Sequence, residues 1–181
     1  MIVIGVLLSL LPVQFQQPKS SPATPEGVIT AYYASFKQLD WHGCTNLMSP
    51  AGLDSLKKEF LVVARKPEAK PVILDMFKKK SISDVERLSG AEIAEGILSA
   101  ILPKSGPNAP LMKQMTVEPL GHVMEGQTAH VVIRMGMPTG AGKRTNVIVQ
   151  SVDKVGTQWL LPVPADLKNG LHLLGSPPPN R

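Results

Sequence analysis

The chain has 181 residues, 43% of them hydrophobic, with 19 basic and 14 acidic side chains and a formal charge of +5. That is enough apolar material for one sizeable core and one domain, and the basic residues are scattered along the whole length, which argues against a nucleic-acid-binding arm. Aromatics make up only 4% and there is a single cysteine, so the core is expected to be aliphatic and methionine-filled, and no intrachain disulfide can form.

Met1 to Leu11 is apolar and uncharged and ends at Pro12, followed by Gln14, Gln16 and Gln17. The run falls short of the roughly 20 residues a membrane-spanning helix needs, but it suits the apolar region of a signal peptide over residues 1–17. The alternative is a buried N-terminal strand or helix. The Pro/Ser-rich segment 18–24 reads as a linker. Cys44 is far from the apolar run, which excludes it as a lipid-bearing cysteine. Export without a disulfide fits a bacterial periplasm or cell surface, with no stable membrane span after processing.

Helical periodicity begins at Thr24, a capping residue followed by Pro25, with Ile29, Tyr32, Phe36 and Leu39 recurring on one face. The helix is expected to stop near Asp40, itself a cap, before a short helical turn over Trp41 to Met48. Ser49-Pro50 opens a second long helix with Leu53, Leu56, Phe60 and Val63 inward, closed by Arg65, Lys66 and Pro67. Pro71 to Lys80 predicts another helix through Ile73, Leu74 and Phe77. Two capping boxes follow, Ser83 with Glu86 and Ser89 with Glu92. The second opens a helix with Ile93, Ile97 and Ile101 inward, ended by Pro103. Lys104 to Pro110 reads as a hinge.

From Met115 the period changes to two. Val117 to Met124 predicts a strand, and Glu125-Gly126-Gln127 a turn. Ala129, Val131, Ile133 and Met135 then alternate with His130, Val132 and Arg134 as in a half-buried antiparallel strand. Thr145 to Val152 follows, with either Val147 and Val149 or Ile148 and Val152 inward. Asp153 to Thr157 is a turn and Trp159 to Val163 the last strand. Residues 166–181 are assigned to a C-terminal tail, disordered from Gly175. The fold class expected is α+β, with N-terminal helices packed against a curved antiparallel C-terminal sheet.

The opening Gly27 to Trp41 (GVITAYYASFKQLDW), followed by Leu47-Met48-Ser49-Pro50, resembles bacterial members of the nuclear transport factor 2-like superfamily. Asp75-Met76-Phe77 through Leu102 is similar to the helical insertion of exported, uncharacterised members. The resemblance implies one domain over 25–165, in which a curved sheet closes over the first helix as a cone with a pocket at its wide end. It also implies frequent dimerisation through the outer sheet face, for which Val132 and one face of Thr145 to Val152 supply apolar surface. The scaffold hosts enzymes, binders and assembly modules alike.

An isomerase-like site would pair a phenol from Tyr32 or Tyr33 with an acid, yet the strands expected to line the pocket carry none before Asp153. No catalytic residue is therefore assigned. Gly140 to Thr145 lacks the leading glycine and trailing hydroxyl of a phosphate-binding loop and lies between strands, so it reads as a hairpin. His42 with Cys44 is the nearest approach to a metal pair, and two residues rarely make a site; no metal and no cofactor are assigned. The expected ligand-binding residues are Tyr33, Phe36, Trp41 and Trp159, with His130 or Arg134 as polar contacts if their side of the strand faces in. The alternative is that the aromatics are simply core. The sequence thus predicts a non-catalytic exported binding or interaction module, homodimeric or with a protein partner. The second reading is a binder, or an isomerase-like enzyme, that takes a small apolar ligand in the cone.

Overall fold

A computed structural model of the chain describes residues 22–102, 109–139 and 142–174. The expected signal peptide, most of the linker, Pro103, residues 104–108 of the expected hinge and residues 175–181 of the expected tail lie outside these. The architecture is α+β: helices fill the N-terminal half, a four-stranded antiparallel meander follows, and a further helix comes after it.

Helix α1 (Pro25–Lys37) starts where the Thr24 hydroxyl accepts the Gly27 N–H at 3.0 Å, with Pro25 preset at the first position and Glu26 in the first turn. Val28, Ile29 and Tyr32 form its buried face. Leu39 closes the helix in a left-handed conformation at φ 55°. For a branched residue that conformation costs roughly 1–2 kcal/mol, which burying the side chain offsets.

Asp40 caps α2 (Trp41–Thr45) by accepting the Gly43 N–H. Ser49 and Pro50 open α3 (Pro50–Ala64), whose core face is Leu53, Leu56, Phe60 and Ala64. Val63, expected inward, is only half-buried, because a spacing of four from Phe60 carries the face to Ala64. Helix α4 (Lys70–Phe77) ends short of the expected Lys80, since Lys78 turns left-handed at φ 51°. Ser81, not Ser83, caps α5 (Ile82–Glu86): its hydroxyl accepts the Asp84 N–H and donates to the Asp84 carboxylate at 2.7 Å. The expected Ser83–Glu86 box therefore does not form. The Ser89–Glu92 box is complete and opens α6 (Gly90–Ile101), which presents Ile93, Ala94, Ile97 and Leu98 inward. Helix α7 (Ala109–Gln114) then leads to the sheet.

Strands β1 (Thr116–Glu125), β2 (Thr128–Thr139), β3 (Gly142–Val155) and β4 (Gln158–Leu160) lie side by side in chain order. Ala129, Val131 and Ile133 of β2 are fully buried, and they face Met124, His122 and Pro119 on β1 and Val152, Gln150 and Ile148 on β3. The register therefore puts Ile148 and Val152 on the inner face and Val147 and Val149 on the outer. A bulge interrupts β1 between Pro119 and Gly121, with Gly121 at φ 140°.

The two halves are joined where Met48 pairs in parallel with Leu161. The Ser49 N–H donates to the Leu161 carbonyl at 2.7 Å, and the Leu161 N–H to the Leu47 carbonyl at 2.8 Å. After β4 the chain forms α8 (Ala165–Leu174) and buries Leu167 and Leu171, so the folded body runs past 165 into the segment assigned to the tail. One more link ties α1 to β1: the Glu26 carboxylate hydrogen-bonds His122, and that bond holds its pKa below the usual carboxylate range.

Two outcomes follow from this packing. A Cβ at Gly90 would lie 2.5 Å from the Leu53 carbonyl oxygen, where α6 abuts α3. Gly90→Ala should therefore lose about 1–3 kcal/mol in chemical denaturation, although alanine favours helix; a gain in stability would contradict this contact. A carboxyl whose pKa is depressed on folding stabilises at pH above its unfolded value, here near 4.5, and that contribution disappears as pH falls through the folded value. Wild type should melt above Glu26→Gln at pH 7, and the gap should close below pH 4.5; a gap independent of pH would count against the His122 pair.

Candidate functional site

Helix α1 crosses the strands: Glu26 meets His122 on β1 and Tyr33 meets Gln150 on β3, both opposite Val131 of β2. The twelve residues of β2 extend about 40 Å, whereas a helix with its side chains is only about 10 Å wide. Burial follows the difference: Ala129, Val131 and Ile133 are sealed, while Met135 and Met137 further along are only partly covered. Over that end the protein holds a cavity of about 700 Å³.

Helix α1 contributes Tyr32, Tyr33 and Phe36 to one wall, and the sheet contributes Met135, Met137, Ile148 and Gln150 to another. The rim comes from Leu98, Ile101 and Leu102 at the end of α6, from Met112 and Met115 around α7, and from Asp166 and Leu167 of α8. Ile101, expected inward, is half-exposed at this rim. The three rings on α1 touch one another, with centroids 5.3 Å apart for Tyr32 and Tyr33 and 6.3 Å for Tyr33 and Phe36. The Tyr33 hydroxyl donates to Gln150 Oε1 at 3.0 Å, leaving the amide N–H groups to donate and the phenolic oxygen to accept. Burial pushes both tyrosine pKa values up, so the phenols stay neutral.

Of the residues expected to bind a ligand, Tyr33 and Phe36 line the cavity and the other four do not. Trp41 is buried behind Phe36, edge-on at 5.6 Å, and its indole N–H has no acceptor among the described residues. Trp159 packs into the core with the Lys154 ammonium 5.9 Å from its ring centroid. His130 and Arg134 lie on the outer face, because the phase of β2 is fixed by Ala129, Val131 and Ile133. There His130 contacts Ser151 and Glu125, each at 2.9 Å, and Arg134 donates to Glu118 at 2.8 Å. Sequence reasoning did not pick out the four methionines, Gln150 or Asp166 as lining. Met135 and Met137 carried a signal, two apolar residues two apart beyond the sealed stretch.

The described lining offers apolar contact, aromatic rings, one hydrogen-bonding pair and one carboxylate. The Tyr33 proton is committed to an amide and not to an acid. Cys44 is buried, and burial raises its thiol to about 12, so it is no nucleophile at neutral pH. His42 pairs with Glu95 at 2.9 Å, away from Cys44. Among the described residues, no three His, Cys, Asp or Glu side chains come together as a metal cage, and no helix is long and apolar enough to cross a membrane. Strands β2 and β3 pair as far as Thr139 and Gly142, so the segment once compared with a phosphate loop joins two strands and no helix follows it. No protein-family model, curated protein or solved structure matches the chain.

Proposed function

We propose that the protein is a non-catalytic binding module that takes a small, largely apolar molecule into the cavity between α1 and the sheet. The observation that carries this reading is the cavity itself: about 700 Å³ is within the range that holds drug-sized ligands, and an apolar lining with one hydrogen-bonding pair, Tyr33 with Gln150, suits such a molecule. Helices followed by a meander, with a pocket over the first helix, support the nuclear transport factor 2-like assignment. The apolar start and the lone cysteine support export to a bacterial periplasm or surface.

A second reading, association of two copies through the outer sheet face, has its own support. Val123, Val147 and Val149 stand exposed there by 66%, 61% and 63% around Val132. Ile148 points the other way, into the cavity wall.

The neutral fluorophore N-phenyl-1-naphthylamine should bind saturably at one site. Ile148→Trp, which fills the cavity, should weaken that binding about tenfold or more, some 1.4 kcal/mol, while circular dichroism and melting stay native. Equal binding by a folded Ile148→Trp protein would remove the cavity reading. Light scattering should find a dimer that Val147→Asp converts to a folded monomer; a native protein that is monomeric at high concentration would end the second reading.

A further inference from the structure

We propose that the cavity selects lipophilic cations, molecules with an apolar body and a protonated amine or quaternary ammonium group. The inference rests on the cavity reading and adds the charge of the ligand. The chain as a whole is positive, at +5, yet the described residues lining the cavity include no lysine, arginine or histidine. The single charged side chain among them is Asp166, in the first turn of α8. The local sign is thus opposite to that of the chain.

Three further features agree with that sign. Tyr32, Tyr33 and Phe36 offer a cluster of ring faces and edges, and the negative faces of aromatic rings attract a cation that has shed water. Both phenols are neutral, so the rings add no competing ionisation. The thioethers of Met112, Met135 and Met137 are polarizable and conform to bulky N-alkyl groups.

An anionic head would fare worst. A carboxylate entering this lining would lose water with no cationic side chain to receive it and would meet the like charge of Asp166, which stands in the first turn of α8 and there offsets the positive end of that helix. An alcohol loses less, since Tyr33 and Gln150 can accept from and donate to it, but it gains nothing from Asp166. The expected order is cation, then neutral, then anion.

Three probes with one tail separate the terms: decyltrimethylammonium, decanol and decanoate. Each is titrated below its micelle concentration against N-phenyl-1-naphthylamine bound to the full chain, at pH 7 and low salt. The cation should displace the fluorophore about tenfold more tightly than decanol, and decanoate should be weakest. Asp166→Asn should reduce the ratio of cation to alcohol affinity about three- to fivefold, and Asp166→Lys, checked for native circular dichroism, should move decanoate ahead of the cation. Decanol binding as tightly as the cation, or decanoate tightest of the three, would overturn the cation inference and leave the cavity reading intact. An undiminished ratio in folded Asp166→Asn would overturn it as well. Failure of the fluorophore and all three probes to bind would bring down both.

Discussion

The rest of the structure depends on how α1 lies on the sheet, across the strands and not along them. From Glu26 at His122 to Tyr33 at Gln150 it passes over β2 at Val131, and a helix about 10 Å wide cannot cover the inner face of a strand that extends about 40 Å. The covered half becomes a core at Ala129, Val131 and Ile133. The uncovered half has to be walled by other parts of the chain, and α6, α7 and α8 meet there at their ends and not along their lengths. Helix ends pack less completely than helix faces, which is why a space remains.

The helical half has packing of its own where α3 meets α6, within a core that it shares with the sheet. Phe60, Leu56 and Ile93 are fully buried, and Phe60 meets Phe77 edge-on at 5.4 Å. The closeness of α3 and α6 is allowed by Gly90. The halves share one core, in which Val28, Ile29 and Tyr32 of α1 join Ala129, Val131 and Ile133 of β2, and the Met48–Leu161 bridge and polar pairs such as Glu26 with His122 add to it. Glu26 stands in the first turn of α1 and Leu161 directly after β4, so both links lie away from the open end of β2.

Much of the fold was legible where chemistry is local. Thr24, Asp40, Ser49 and Ser89 each cap the helix that follows, because a cap needs only a side-chain oxygen within three residues of a free N–H. The alternation from Ala129 to Met135 read correctly for the same reason. What failed was local chemistry with two solutions, as at Ser81 and Ser83, and anything decided at long range. Helix α8 was missed because its first turns mix Leu167 and Leu171, which are buried, with Asp166, Lys168 and Asn169, a pattern too short to announce a helix. The cavity was half-legible: Phe36 lies on the α1 stripe and Tyr33 stands beside it, but Met112, Met135, Gln150 and Asp166 come from four different elements, and no sequence spacing brings them together. Trp41 and Trp159 show that aromatic character does not say which side of a wall a ring occupies.

The bulge in β1 has a consequence for how the molecule behaves in company. An open sheet has two edges whose unpaired amides can recruit strands from other chains, the first step toward fibrillar stacking. Here β4 is three residues long, and the chain just beyond it is occupied by Met48 pairing with Leu161. On the other side Pro119 offers no amide proton, and the extra residue before Gly121 throws the edge out of register with any straight neighbour. The β1 border is thereby made a poor template for growth, whereas β4 covers β3 only from Asp153 to Val155, so any strand that this sheet recruits in a crowded population would meet the edge of β3 between Gly142 and Val152.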